Sequence, residues 1–409
     1  MNIQTSSISN FIKIRNIIIA GTVFSSCILS GCGQRSKNTG EPAIMVACYY
    51  FPNYHTGDPQ INAYFGEGWT EWELVKAAVP LFEGHEQPKV PLWGYGDERD
   101  PLVMAQKIDA AADHRIDAFI FDWYYYEDGP FLNRCLDEGF LQAKNTNRIR
   151  FSLMWANHSW LKPGKVSPKC FDEICDHIVK DYFTKPNYWL IDGKAYFSIN
   201  DVESFVKGFG TIDAARDAMN RLRDKAVAAG LKGVHWNMVE LERHYRPLLN
   251  NPALSAENQP ANLAELIRRL GFDSTTGYVW FDHVRLPDVQ TDFNYVRDAY
   301  FAHWDEIKDA CGAPYFPNVS MGWDTSPRRS WDTQGGGTDY KYTYTISNNT
   351  PANFQTALQM TKERLLSVPG GPRVLTINCW NEWTEGSYLE PDTKNKMGYL
   401  EAVKNVFKP

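Results

Sequence analysis

From residue 43 to its end, this 409-residue chain alternates short apolar runs with helix-periodic stretches, and few architectures satisfy that pattern. Strand-like runs fall at residues 44–50, 116–123, 150–156, 194–199, 233–239, 276–280, 315–321 and 373–379. Several are continuously apolar, as in strands covered on both faces. Between them lie helical stripes. Ile212, Ala215, Met219, Leu222 and Ala226 recur three and four apart, with Gly230 as a stop signal. Phe354, Leu358, Thr361 and Leu365 form another stripe, and Leu263, Leu266, Ile267 and Leu270 a third, ending at Gly271. Eight strands with intervening helices predict an α/β chain folded as a (β/α)8 barrel in one domain, residues 43–409. An open doubly wound sheet is the alternative, and the lack of a glycine fingerprint after the first run counts against it.

One connection departs from the rhythm. Residues 52–99 show little periodicity and are dense in Tyr, Trp, His, Gly and Pro. A long ordered loop in a compact domain is usually functional, and a barrel builds its site at the C-terminal ends of its strands. The residues just beyond each predicted strand therefore carry the most information about a site. The first run leads to Tyr50, His55, Trp69 and Glu71, the second ends in Asp122 and Tyr124, and the third gives Trp155, Asn157, His158 and Trp160. Glu240 and Glu242 come after the fifth, Asp282 and His283 after the sixth, Trp323, Asp324, Arg328 and Arg329 after the seventh. Each alone reads equally as a loop cap or a supporting hydrogen bond. Together they predict a rim of polar and aromatic groups suited to a carbohydrate, and 14 Trp, 21 Tyr and 22 Phe supply faces for stacking on sugar rings.

The last strand ends in Trp380-Asn381-Glu382-Trp383-Thr384-Glu385-Gly386. Glycoside cleavage needs a carboxylic acid to protonate the leaving oxygen and a second carboxylate as nucleophile or base. Glu382 and Glu385 are the candidate pair; a loop salt bridge to Arg328 or Arg329 is the structural alternative. The eighth strand should close beside the first, near Tyr50, His55 and Glu71. His158 and His283 lack metal-site spacing, and neither a metal nor a cofactor is expected. Asn348-Asn349-Thr350 and Gly335-Gly336-Gly337 read as loop punctuation.

The N-terminus reads as a targeting segment. Lys13 and Arg15 precede an apolar run at residues 17–29, of signal-peptide length, and Leu29-Ser30-Gly31-Cys32 resembles the bacterial lipobox. Residues 1–31 are expected to be a signal peptide, Cys32 the lipidated anchor and residues 32–42 a tether. That predicts export and anchoring, at the outer membrane on an unresolved face, with membrane and glycan-uptake proteins as partners. Net charge is −7 with no basic stripe, so nucleic acid is not an expected partner. Six further cysteines lack zinc spacing, and Cys48 and Cys379 read as buried thiols.

Several runs resemble one family. They are Gly68-Trp69-Thr70-Glu71-Trp72, residues 80–88, Arg99-Asp100-Pro101, residues 322–329, the Trp380–Gly386 run and Leu389-Glu390-Pro391-Asp392. In this order they look like the WbsX-type proteins, relatives of the glycoside hydrolase family 99 endo-α-mannosidases. Where that group often has Leu-Pro-Gln-Phe-His, this chain has Phe51-Pro52-Asn53-Tyr54-His55. The resemblance implies a (β/α)8 barrel, with Glu382 as base on the sugar 2-hydroxyl and Glu385 as acid/base at the glycosidic oxygen. It implies retention through a 1,2-anhydro sugar and an axial 2-hydroxyl, as in α-mannosides or α-rhamnosides. The expected ligand is an oligosaccharide or polysaccharide, held by the rim residues together with Trp380 and Asn381. The WbsX name carries a glycosyltransferase label, so polysaccharide synthesis is one competing reading; a non-catalytic glycan-binding lipoprotein is another.

Overall fold

The computed structural model describes residues 43–159, 164–249, 259–329 and 344–408. The predicted signal peptide, tether and Cys32 lie outside them, as do Trp160 and Gly335-Gly336-Gly337.

Eight parallel strands form the barrel: β1 (Met45–Tyr50), β2 (Ala118–Tyr126), β3 (Arg150–Trp155), β4 (Lys194–Ile199), β5 (Val234–Val239), β6 (Ser274–Thr276), β7 and β8 (Val374–Asn378). β7 is one strand in two pieces, Tyr315–Phe316 and Asn318–Ser320, broken at Pro317. The first piece pairs with β6 (Tyr315↔Thr275) and the second with β8 (Asn318↔Thr376), so the interruption lets a single strand complete the ring. Proline has no N–H to give a ladder, and a strand shared between two neighbours tolerates it at the changeover. β8 closes on β1 in the register Met45↔Val374, as the sequence predicts.

Among the described residues the α-helices are α1 (Pro59–Phe65), α2 (Trp72–Ala77), α3 (Pro101–Asp113), α4 (Pro168–Ile178), α5 (Val202–Phe209), α6 (Ile212–Ala228), α7 (Glu242–Tyr245), α8 (Leu263–Leu270), α9 (Phe293–Ala310), α10 (Pro351–Leu366) and α11 (Gly398–Phe407). Their starts follow local chemistry. Asp100, Ser167, Thr211, Asn262 and Thr350 each accept a hydrogen bond from the first turn, and Pro occupies the first position of α3, α4 and α10. Gly271, left-handed at φ 81°, ends α8.

One strand departs from the sequence reading. β6 covers Ser274–Thr276, not 276–280, and Trp280–Asp282 forms a 3-10 turn. Its Ser274 and Thr276 side chains face a polar interior layer, where Thr276 and Asn318 side chains meet the Thr376 hydroxyl at 3.2 Å each. An apolar run was therefore the wrong signal here. Cys48, Cys135, Cys170, Cys175, Cys311 and Cys379 are all buried free thiols, as expected for the first and last.

Candidate active site

The segment after β8 sends alternate side chains to opposite sides of the barrel wall. Asn381 turns outward: its amide accepts from Phe51 N at 2.8 Å and donates to Phe51 O and to Glu98. Trp383 stacks on Tyr388 with centroids 3.8 Å apart and donates to Glu390 at 2.7 Å. Lys107 of α3 joins this layer, 2.5 Å from Glu98 and 2.6 Å from Glu390. Glu382 and Glu385 face the other way. They bracket a 3-10 turn, Trp383–Glu385, in which side chains three apart eclipse. The three-residue spacing thus puts both carboxylates on one side, in a cavity of about 570 Å3 at the C-terminal mouth of the barrel. Gly386 ends the turn at φ 62°, where a Cβ would meet Asp324 Cβ at 2.7 Å.

Arg328 lies between the carboxylates. Its Nη1 is 2.5 Å from Glu385, its Nη2 3.1 Å from Glu382, and its Nε 3.2 Å from Glu71, which also accepts from Asn53 and Thr384. One guanidinium therefore serves three carboxylates, two of them buried and Glu385 partly open to the cleft. Burial pushes the Glu382 proton affinity well above the usual carboxylate range; Glu385 adds to the rise and Arg328 opposes it. Burial raises Glu385 too, again against Arg328. The salt-bridge reading and the paired-carboxylate reading thus describe the same residues.

The rest of the cleft is polar with aromatic walls. Asp122 accepts from the Tyr278 hydroxyl at 2.8 Å, and burial raises its pKa. Burial, with His244 adding, lowers the His158 pKa to about 4, so the ring is neutral and can donate and accept. Arg243 and Asp282 pair at 2.5 Å across the loops after β5 and β6. Trp323 stacks on Phe281 at 4.2 Å with planes 8° apart, leaving a flat wall.

Of the residues expected at the rim, Asp122, Tyr124, His158, Asp282, Trp323, Arg328, Glu382 and Glu385 line this cavity. Glu71 lies beneath it, against Arg328. The others are elsewhere, mostly because adjacent strand residues point to opposite faces. Tyr50 points outward, its hydroxyl 2.9 Å from Glu98. Trp155 packs outward on Phe171, and Trp380 on Phe119. Asn157 is spent tying β3 to the end of β4 through both backbone groups of Asp201. Asn381 is held by Phe51 and Glu98 as above. Asp324 accepts from Gln87 at 2.7 Å and faces His85 Nε2 at 2.9 Å, fastening the long first loop to the loop after β7. His55 is buried beside Thr56 O, and Trp69 stacks on Phe65 at 4.2 Å. The structure adds Phe51, Met154, Asn200, Arg243, His244 and Tyr278 to the lining. Asn200 directly follows β4 and was open to the same strand-end logic. Tyr278 was hidden by the misplaced sixth strand.

The family model described as glycosyltransferase WbsX matches residues 46–403. The uncharacterized protein WxcX of Xanthomonas campestris pv. campestris, strain B100, is 26% identical over 388 residues, covering 89% of this chain and 50% of that protein. WxcX of strain ATCC 33913 matches to the same extent, so the chain spans about half the length of these curated relatives. Among solved structures, the GH99 endo-alpha-mannosidase from Bacteroides thetaiotaomicron superposes with TM-score 0.52 at 16% identity, covering 88% of this chain and 95% of that one. A "glycoside hydrolase-like protein" gives TM-score 0.58 at 12% identity, covering 90% and 94%. The barrel fold is thus shared with a family 99 enzyme, and the chain belongs to the WbsX family.

Proposed function

We propose that this protein is a glycoside hydrolase acting on α-linked glycans with an axial 2-hydroxyl, of α-mannoside or α-rhamnoside type, with retention of configuration. The observation that carries this reading is the pair Glu382 and Glu385, on one face of a 3-10 turn, in a cleft that raises the proton affinity of both. A carboxylate lifted toward neutral pH is a better base when ionised and a competent acid when protonated. Glu382 takes the proton of the sugar 2-hydroxyl as O2 attacks C1. Glu385 gives its proton to the departing glycosidic oxygen, leaving a 1,2-anhydro sugar. Water then opens the ring at C1, losing a proton to Glu385, while O2 recovers one from Glu382. Backside attack by O2 needs the 2-hydroxyl trans to the leaving group with both axial, which sets the substrate restriction.

Export through the N-terminal segment and anchoring at Cys32 complete the proposal, with glycan-uptake proteins as partners. The family description favours a second reading, transfer of a sugar during polysaccharide synthesis. Digestion of a panel of α-mannans and rhamnose-containing polysaccharides, beside a Glu385→Gln variant, separates the readings. Release of sugars by the wild type alone supports hydrolysis. Glycan binding by both proteins without release overturns it in favour of a binding protein; sugar incorporation from an activated donor overturns it in favour of transfer.

A further inference from the structure

Behind the cleft wall formed by His244 and Asp282 lies a second cluster of donor groups that the carboxylate chemistry leaves unused. Glu240 follows β5, His283 follows the turn Trp280–Asp282, and His303 projects from α9. One oxygen, Glu240 Oε2, is 3.3 Å from His283 Nδ1 and 3.2 Å from His303 Nε2. All three donor atoms lie within 4.8 Å of one another. The Glu240 and His283 side chains are 1% and 2% exposed, whereas His303, at 22%, opens to solvent.

We propose that Glu240, His283 and His303 bind a divalent cation of zinc type, with water or the neighbouring Tyr245 hydroxyl in the remaining position. Imidazole nitrogens with one carboxylate suit such an ion. The spacing supports it. A charge-assisted N–H···O bond closes to about 2.7–2.9 Å, yet both contacts here are longer. Ligands about 2.0–2.1 Å from a tetrahedral ion stand roughly 3.3–3.4 Å apart. Two buried atoms of the cluster, Glu240 Oε1 and His283 Nε2, have no hydrogen-bond partner of good geometry. The two imidazoles stack at 4.6 Å with planes 23° apart, so His303 has to tilt for its lone pair to meet an ion held by the other two. As the solvent-facing member it has room to do so.

Such an ion joins the loop after β5, the loop after β6 and α9. His244 lines the cleft four residues beyond Glu240, and Asp282 lines it next to His283. The site would fix the cleft wall without touching the reacting carboxylates, and it is independent of the reaction assigned to them.

The test uses the full chain without a polyhistidine tag, stripped with chelator and then titrated with zinc chloride. Calorimetry and elemental analysis should give one zinc per chain, and cobalt(II) should give the visible absorption of a four-coordinate site. His303→Ala should weaken zinc binding by about 10- to 100-fold or more, since losing a ligand costs at least as much as losing its supporting partner. His177→Ala, at a partly exposed histidine of α4 paired with Asp181, should leave it unchanged. Glu240 is buried and its replacement disturbs the fold on its own account, so the partly exposed His303 carries the test. No stoichiometric zinc, or equal affinity in wild type and His303→Ala, overturns the proposal.

Discussion

Glu382 holds a charge where the fold tolerates it badly. Its proton affinity is raised in the folded protein, so at neutral pH its ionised form costs folding free energy that an unfolded chain does not bear. Glu382→Gln should therefore be more stable than wild type at pH 8, by about 1–3 kcal/mol, while losing turnover by about 10²–10⁴-fold. The stability gain should shrink on acidification, as the wild-type carboxyl takes up its proton and becomes equally neutral. Urea unfolding at pH 8 and pH 5 reads both; a destabilised variant at pH 8 would show that Arg328 outweighs the burial. Arg328 works in the opposite direction, lowering both glutamates. Arg328→Met should move both limbs of the pH profile of kcat/KM upward, by about 1–3 units. The base then holds its proton to higher pH on the acid side, and the acid holds its proton longer on the alkaline side. A pure loss of rate at unchanged limbs would mean that Arg328 binds substrate only.

At the scale of elements, the loop after β8 is placed by a charged layer that never reaches the cleft. Lys107 neutralises Glu98 and Glu390, which hold Asn381 and Trp383, the neighbours of Glu382 in sequence. Lys107→Met leaves two carboxylates buried without a cation and should cost about 3–5 kcal/mol, measured by denaturant unfolding. Because the layer also orients the motif, kcat should fall in protein that is still folded at low temperature. This layer was not legible in the sequence: Lys107 sits in α3, Glu98 in the long first loop and Glu390 beyond the motif, and nothing in their spacing announces that they meet. The helices were legible where an apolar stripe carried its own stop signal, as in α8 with Gly271. β6 was not, because its three residues are polar, with Ser274 and Thr276 in a polar interior layer. The rim was read by strand ends alone, without parity. Asp122 and Tyr124, two apart, share the inner face, and Trp155, placed by the same rule, points out.

For the molecule as a whole, periodicity predicts eight strands covered on both faces, and the missing glycine fingerprint after the first of them favours the ring closed by the β8–β1 seam over an open doubly wound sheet. The same closure bears on the proposed export. An oxidising compartment drives accessible thiols to disulfides, yet the six cysteines among the described residues are unpaired. Burial is what protects them. It raises Cys48, Cys135 and Cys379 well above the usual thiol range and Cys170 to about 12, so the reactive thiolate is scarce. Modification of residues 43–409 by a thiol reagent at pH 8 should then be limited by opening of the barrel. Native protein should react slowly and with less than one equivalent, and guanidinium-unfolded protein with all six. Adding reductant should leave the melting temperature unchanged, because no disulfide contributes to the fold among the described residues. Prompt reaction of several thiols in native protein would mean that the barrel opens readily, and a barrel that opened so would not stay reduced outside the cytosol.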